Sequence, residues 1–106
     1  RLMIEKGVPV ALSTDYNPGS CPTENLQFIM TLAALHLKMR PDEIVTGVTM
    51  NAAAALGIQN EVGSIEVGKK ADLAIFDIPN IEYMIYHFGI NHNFMTIKDG
   101  EVVYTR

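Results

Sequence analysis

The spacing of hydrophobic positions changes several times along this 106-residue chain, and each change predicts a different element. Leu2, Met3 and Ile4, followed by Glu5-Lys6-Gly7, predict the end of a helix with a glycine just past it. The unbroken apolar run Val8-Pro9-Val10-Ala11-Leu12 predicts a buried strand, with Pro9 near its start where a missing N–H is tolerated. A polar, turn-rich loop, Tyr16 to Pro22, follows. Spacing of three and four residues then takes over through Leu26, Ile29, Met30, Ala33, Ala34 and Leu37, a helical face with Thr23 as its cap and Glu24 in its first turn. A second helix starts at Pro41, with Asp42 and Glu43 complementing its dipole and Ile44, Val45 and Val48 on its buried side. Thr49 is placed to cap a short alanine-rich helix, Asn51 to Leu56, which Gly57 ends.

Beyond Gly57 the pattern turns to β structure. Gly63 to Lys70 is turn-rich, Ala71 to Asp77 reads as a short strand, and Ile81 to Phe88 as a helix. Two alternating segments, Phe94 to Lys98 and Glu101 to Thr105, flank Asp99-Gly100, a strong two-residue hairpin signal. The order is βα, two further helices, then a small β-rich tail, an α/β chain without internal repeats.

Composition narrows the function classes. A hydrophobic content of 48% fits a globular fold, and a net charge of -4 argues against nucleic-acid binding, which wants clustered Lys and Arg. No apolar run approaches the ~20 residues that span a membrane. The single cysteine, Cys21, excludes an internal disulfide and fits a reducing, cytoplasmic compartment. The chain starts at Arg1, inside an amphipathic pattern and without Met, which predicts a piece of a longer protein with any targeting signal upstream.

The chemistry concentrates where the Val8–Leu12 run drives through Ser13-Thr14 into Asp15. A carboxylate at the tip of a buried strand is costly without a cation or strong donors, so a metal, a substrate or an arginine is expected there. A turn or capping aspartate is the plain alternative. Pro18 fixes one φ, and Gly19 permits a positive one, so the backbone N–H groups of this loop are expected to form an anion nest before a helix N-terminus. Asn17 can hydrogen-bond a ring or amide group. Cys21 as a nucleophile lacks a histidine near in sequence. His36 falls on a helix, and His87 and His92 are five apart at a helix end, which is not a metal-ligand spacing. Lys69-Lys70 reads as a solvated turn rather than a phosphate site.

A strand ending in Ser-Thr-Asp, then helices, then Gly63-Ser-Ile-Glu-Val-Gly-Lys-Lys-Ala-Asp-Leu-Ala-Ile-Phe-Asp77, resembles the C-terminal end of the amidohydrolase superfamily. The loop Asp15-Tyr16-Asn17-Pro18-Gly19-Ser20, with Pro22-Thr23-Glu24-Asn25-Leu26 after it, is similar to the imidazolonepropionase family. The resemblance implies the last part of a metal-dependent (β/α)8 TIM-like barrel over residues 1–60. It implies part of a small composite β-sandwich over residues 61–106.

It further implies a hydrolase that opens the ring of 4-imidazolone-5-propanoate to N-formimidoyl-L-glutamate in histidine degradation. Asp15 matches the metal ligand that also handles the proton of the attacking water, and Asn17, Gly19 and Ser20 match substrate-binding positions. The implied cofactor is one Zn2+ or Fe3+ ion, which lowers the pKa of a bound water toward ~7. Such sites need about three protein ligands, and the family's histidines have no counterpart here. The implied partners are a carboxylate-bearing small molecule and, for the full-length enzyme, a second copy in a homodimer, with no nucleic acid or membrane. Two alternatives stay open: a cytosine- or guanine-type deaminase of the same superfamily, and a fragment that is not catalytic alone.

Overall fold

The computed structural model describes residues 1–106. Five helices and three strands follow in the order α1 (Leu2–Glu5), α2 (Leu26–His36), α3 (Pro41–Val48), α4 (Met50–Ala55), β1 (Leu73–Phe76), α5 (Ile81–Tyr86), β2 (Asn93–Lys98) and β3 (Glu101–Thr105). Local chemistry sets most of these boundaries. Gly7 at φ 79° and Gly57 at φ 75° end α1 and α4 in the left-handed conformation that glycine adopts without strain. Pro41 opens α3, and Glu43 reaches back to accept the Arg40 backbone N–H at 2.8 Å. Asp99 (φ 51°) and Gly100 (φ 79°) form the tight turn between β2 and β3.

Several elements differ from the expectation. Helix α2 starts at Leu26, capped by Asn25, whose Oδ1 accepts from the Phe28 N–H at 3.2 Å. Thr23 instead accepts the Asn25 N–H one turn earlier. Thr49 does not cap α4 with its side chain; its hydroxyl donates back to the Val45 carbonyl at 2.6 Å and so closes α3. Helix α5 stops at Tyr86, ahead of the expected Phe88. The buried face of α2 is Met30, Thr31 and Ala33, while Leu26 and Leu37 are exposed. The reason is the position of α5, which lies along the Thr31 side, where the Thr31 hydroxyl donates to the Ile85 carbonyl at 2.8 Å.

The largest difference is at Val8–Leu12, which forms no strand. A strand needs a neighbour to complete its ladder, and within these 106 residues no strand lies beside this segment. Its polar groups turn to the helices instead: the Leu12 N–H donates to the Gly47 carbonyl at 2.9 Å, and Asn51 Nδ2 donates to the Val10 carbonyl at 3.0 Å. Gly47 makes this approach feasible. A Cβ there would stand 3.2 Å from the Leu12 side chain and from the Val10 carbonyl.

The three strands form one antiparallel sheet in the order β1-β2-β3. Register puts Leu73, Ile97 and Val102 on one face, continued by Ile75 and Met95. Phe76 joins the helices from the β1 end, packing with Ile78 against a core of Met30, Ala33, Met39, Ile44 and Met84. Three of those five are methionines, which suit an irregular junction of short helices. Ile44 is fully buried at its centre.

Two predictions follow from this packing. Ile44→Ala should cost about 2–5 kcal/mol of stability, measured by denaturant unfolding, because the surrounding helices cannot collapse around the missing methyls. The second concerns Glu43, which accepts from the Arg1 guanidinium at 2.6 Å and from the Arg40 N–H. These bonds hold its carboxyl at about 2, against an ordinary 4.5. Since the folded value is the lower one, the stabilisation is complete above the ordinary value and is lost as pH falls toward the folded one. The melting-temperature gap between wild type and Glu43→Gln should be constant near neutrality and close between those two values.

Candidate functional site

The segment that α3 holds at Leu12 leads directly into Asp15. Asp15 takes a left-handed backbone conformation, φ 51°, which few non-glycine residues adopt and which aspartate tolerates better than most. Its side chain is exposed and makes neither a hydrogen bond nor an ion pair with any other residue of the chain. Both carboxylate oxygens are therefore available to a ligand. Within these 106 residues the expected strand-end carboxylate is exposed and unengaged, with no neighbouring strand beside Val8–Leu12.

The loop after Asp15 is built on the side chain of Asn17. Its Oδ1 accepts from the Gly19 N–H at 2.9 Å, the Ser20 N–H at 2.8 Å and the Ser20 hydroxyl at 3.3 Å. Its Nδ2 donates to the Asp15 carbonyl at 2.7 Å and lies 3.2 Å from the Ser20 hydroxyl. An amide side chain has two N–H groups and two lone pairs, and here all are engaged. The Asn17 backbone N–H donates to the Cys21 carbonyl at 2.9 Å and closes the turn.

The expected nest is therefore corrected in two respects. The Gly19 and Ser20 N–H groups do converge on one oxygen, but that oxygen belongs to Asn17. Gly19 also has no positive φ; the left-handed residue of the loop is Asp15. Gly19 serves a different need, since a Cβ on it would stand 3.2 Å from Asn17 Oδ1. Nor does the loop abut a helix start, because residues 21–25 intervene and Asn25 caps α2 itself. The Asn-Pro-Gly-Ser order is a typical turn signature in which Asn bonds the backbone ahead of it, and that is the sequence signal for part of this bonding that the ligand-binding reading of Asn17 passed over.

Cys21 is half-buried, and its thiol donates to the Thr14 carbonyl at 2.9 Å. His36 is exposed in the last turn of α2. The His87 ring lies 4.1 Å from that of Tyr83. His92 is buried, with Nε2 at 2.7 Å from the His87 carbonyl. Lys69 pairs with Glu66 at 3.0 Å and donates to the Ser64 hydroxyl at 2.7 Å, while Lys70 lies 3.5 Å from Glu61. The hydroxyl of Ser64 and then Lys69 hold the Glu66 carboxyl below its ordinary range, so this turn is internally neutralised. No group of three His, Cys, Asp or Glu side chains is placed to hold a metal ion. Asp15 fits a metal as one carboxylate ligand, and the chain closes no metal site by itself.

An imidazolonepropionase from Alkaliphilus oremlandii (strain OhILAs) is 61% identical over 103 residues, 97% of this chain and 24% of that protein. One from Fusobacterium nucleatum is 58% identical over 106 residues, 100% of this chain and 26% of that protein. The chain thus spans about a quarter of the length of the curated relatives it matches. Among solved structures, an amidohydrolase from Thermotoga maritima superposes with a TM-score of 0.76 at 26% identity, covering 98% of this chain and 25% of that one. The model of the amidohydrolase family matches residues 1–105, and the chain belongs to that family.

Proposed function

We propose that the full-length protein carrying this chain is an imidazolonepropionase, a metal-dependent hydrolase that opens the cyclic amide of 4-imidazolone-5-propanoate. The observation that carries this reading is 61% identity, over 97% of the chain, to a protein of that name. Residues 1–60 would then close a (β/α)8 barrel, and residues 61–106 would contribute to a β-sandwich. The sheet supports the second part, because its Leu73, Ile75, Met95, Ile97 and Val102 face is apolar although the helical core lies against Phe76. No helix is long and apolar enough to cross a membrane. A cytoplasmic homodimer is the assembly we propose.

Ring opening adds water to the ring carbonyl carbon, breaks the C–N bond and leaves a proton on the departing nitrogen. A bound zinc or iron ion would supply the Lewis acidity that makes water nucleophilic near neutral pH. Asp15 would hold that ion with one oxygen and take the water's proton with the other, then pass it to the leaving nitrogen. Its unengaged carboxylate supports this role.

The substrate's propionate carboxylate would take the Gly19 and Ser20 N–H groups. They already converge on one oxygen, which is the arrangement a carboxylate oxygen needs. The incoming oxygen would displace Asn17 Oδ1, and the Asn17 amide would turn to the substrate by exchanging bonds rather than by adding one.

Asp15→Ala should lower turnover of imidazolone propionate by more than tenfold, about 1.4 kcal/mol of barrier or more. It should also reduce the metal retained per protein, measured by elemental analysis. Retention of both would remove Asp15 from the site. The loop is tested by Gly19→Val, whose side chain would crowd Asn17 Oδ1 and the incoming oxygen. With the natural substrate, kcat/KM should fall roughly ten- to a hundredfold. With an analogue lacking the propionate carboxylate it should hardly change further. A coupling energy near zero would mean that the loop does not read the carboxylate, and an uncharged substrate, as for a base deaminase, would then be favoured.

A further inference from the structure

The Asp15 carboxylate is exposed and takes part in no hydrogen bond or ion pair within these 106 residues, so its presentation depends on the backbone that carries it. Two peptide groups flank its Cα, and both are held from the same loop. The Thr14 carbonyl, on the N-terminal side, accepts the Cys21 thiol at 2.9 Å. The Asp15 carbonyl, on the C-terminal side, accepts Asn17 Nδ2 at 2.7 Å. Asn17 and Cys21 are tied to each other by the backbone bond from Asn17 N–H to the Cys21 carbonyl, so the two holds act as one unit. With both peptide planes fixed, φ and ψ of Asp15 are fixed, and with them the Cα–Cβ direction. The two holds keep Asp15 in a left-handed conformation, which is less favourable than the right-handed one for a residue with a side chain.

We infer that Cys21 is a positioning residue: its thiol, acting on the Thr14 carbonyl, holds the Asp15 backbone in the conformation that presents the carboxylate from this loop. The inference rests on the reading of Asp15 as a metal ligand. Cys21 takes no covalent part. Its requirement is a hydrogen-bond donor of the right reach, which serine supplies and alanine and valine do not. Small displacements of a reacting group reduce turnover far more than they reduce substrate binding, so the effect should fall on kcat and on metal retention.

The test uses the full-length enzyme with Cys21→Ala, Cys21→Val and Cys21→Ser. Steady-state kinetics with imidazolone propionate, metal content after dialysis against a chelator, and thermal melting are measured together. Alanine and valine should lower kcat about three- to tenfold with KM within about twofold, and should speed metal loss. Serine should restore kcat and metal retention toward wild type. Wild-type kcat and metal retention in the alanine or valine variant would overturn the inference. So would a serine variant that fails to recover, or losses that simply track melting temperature across all three, since either would mean that Cys21 only fills space. Asp15→Ala separates the two levels. If it keeps metal and turnover, the reading of Asp15 falls and the clamp with it. If it abolishes both while the Cys21 variants behave as wild type, only the clamp falls.

Discussion

The burial of Ile44 is the contact on which the rest of the structure depends. Helices α2, α3 and α5 are short, and none is long enough to be stable in water alone. They hold together because Met30, Ala33, Met39 and Met84 close around one fully buried side chain. Ile44 fixes α3, and α3 in turn carries Gly47 on its packed side. The absent side chain of Gly47 lets Val10 and Leu12 lie against the helix. Thus the position of the Asp15 loop descends, contact by contact, from the core.

The polar network at that loop shows why free backbone donors are not the same as a binding site. The Gly19 and Ser20 N–H groups point together, yet in the structure they are satisfied by the nearest acceptor, the Asn17 amide. Both residues are exposed, so water is the competing partner for these donors, and the effect of the Asn17 oxygen is to fix their common direction. A neutral amide oxygen is a weaker acceptor than a carboxylate, which makes the exchange favourable in the direction that the proposed substrate requires.

Ion pairs tie Arg1 and Arg106 to the helices and the sheet. The Arg1 guanidinium grips Glu43 at the start of α3, and Arg106 reaches Asp77 beyond β1. Lys98 and the Asp99 N–H both bind Asp72, which ties the hairpin turn to the approach of β1 and holds the Asp72 carboxyl below its ordinary range. Exposed pairs of this kind are individually worth little, and their effect is to fix register and chain direction. Stability comes mainly from the core, and that core is small: apolar residues such as Ile65 and Val67 stay on the surface.

The sequence by itself determined what local chemistry controls. Gly7 and Gly57 end their helices, Pro41 with Asp42 and Glu43 starts one, and Asp99-Gly100 makes the hairpin, because each acts through its own backbone geometry. The motif Asp15 to Ser20 and the tail Gly63 to Asp77 likewise carried the family in their residues. What the tertiary structure decided was everything that depends on a partner distant in sequence. Val8–Leu12 reads as a strand, but no strand within these 106 residues pairs with it, and its hydrogen bonds go to α3 and Asn51. Which face of α2 is buried depended on where α5 came to rest, 54 residues away at the Thr31–Ile85 contact. The choice between Thr23 and Asn25 as cap fell to Asn25, whose Oδ1 reaches the Phe28 N–H inside the first turn, while Thr23 reaches only the Asn25 N–H ahead of it. Asn17 reads as a ligand-binding side chain, and only the folded loop showed its amide already saturated, because hydrogen bonds are settled by distances that residue order does not contain.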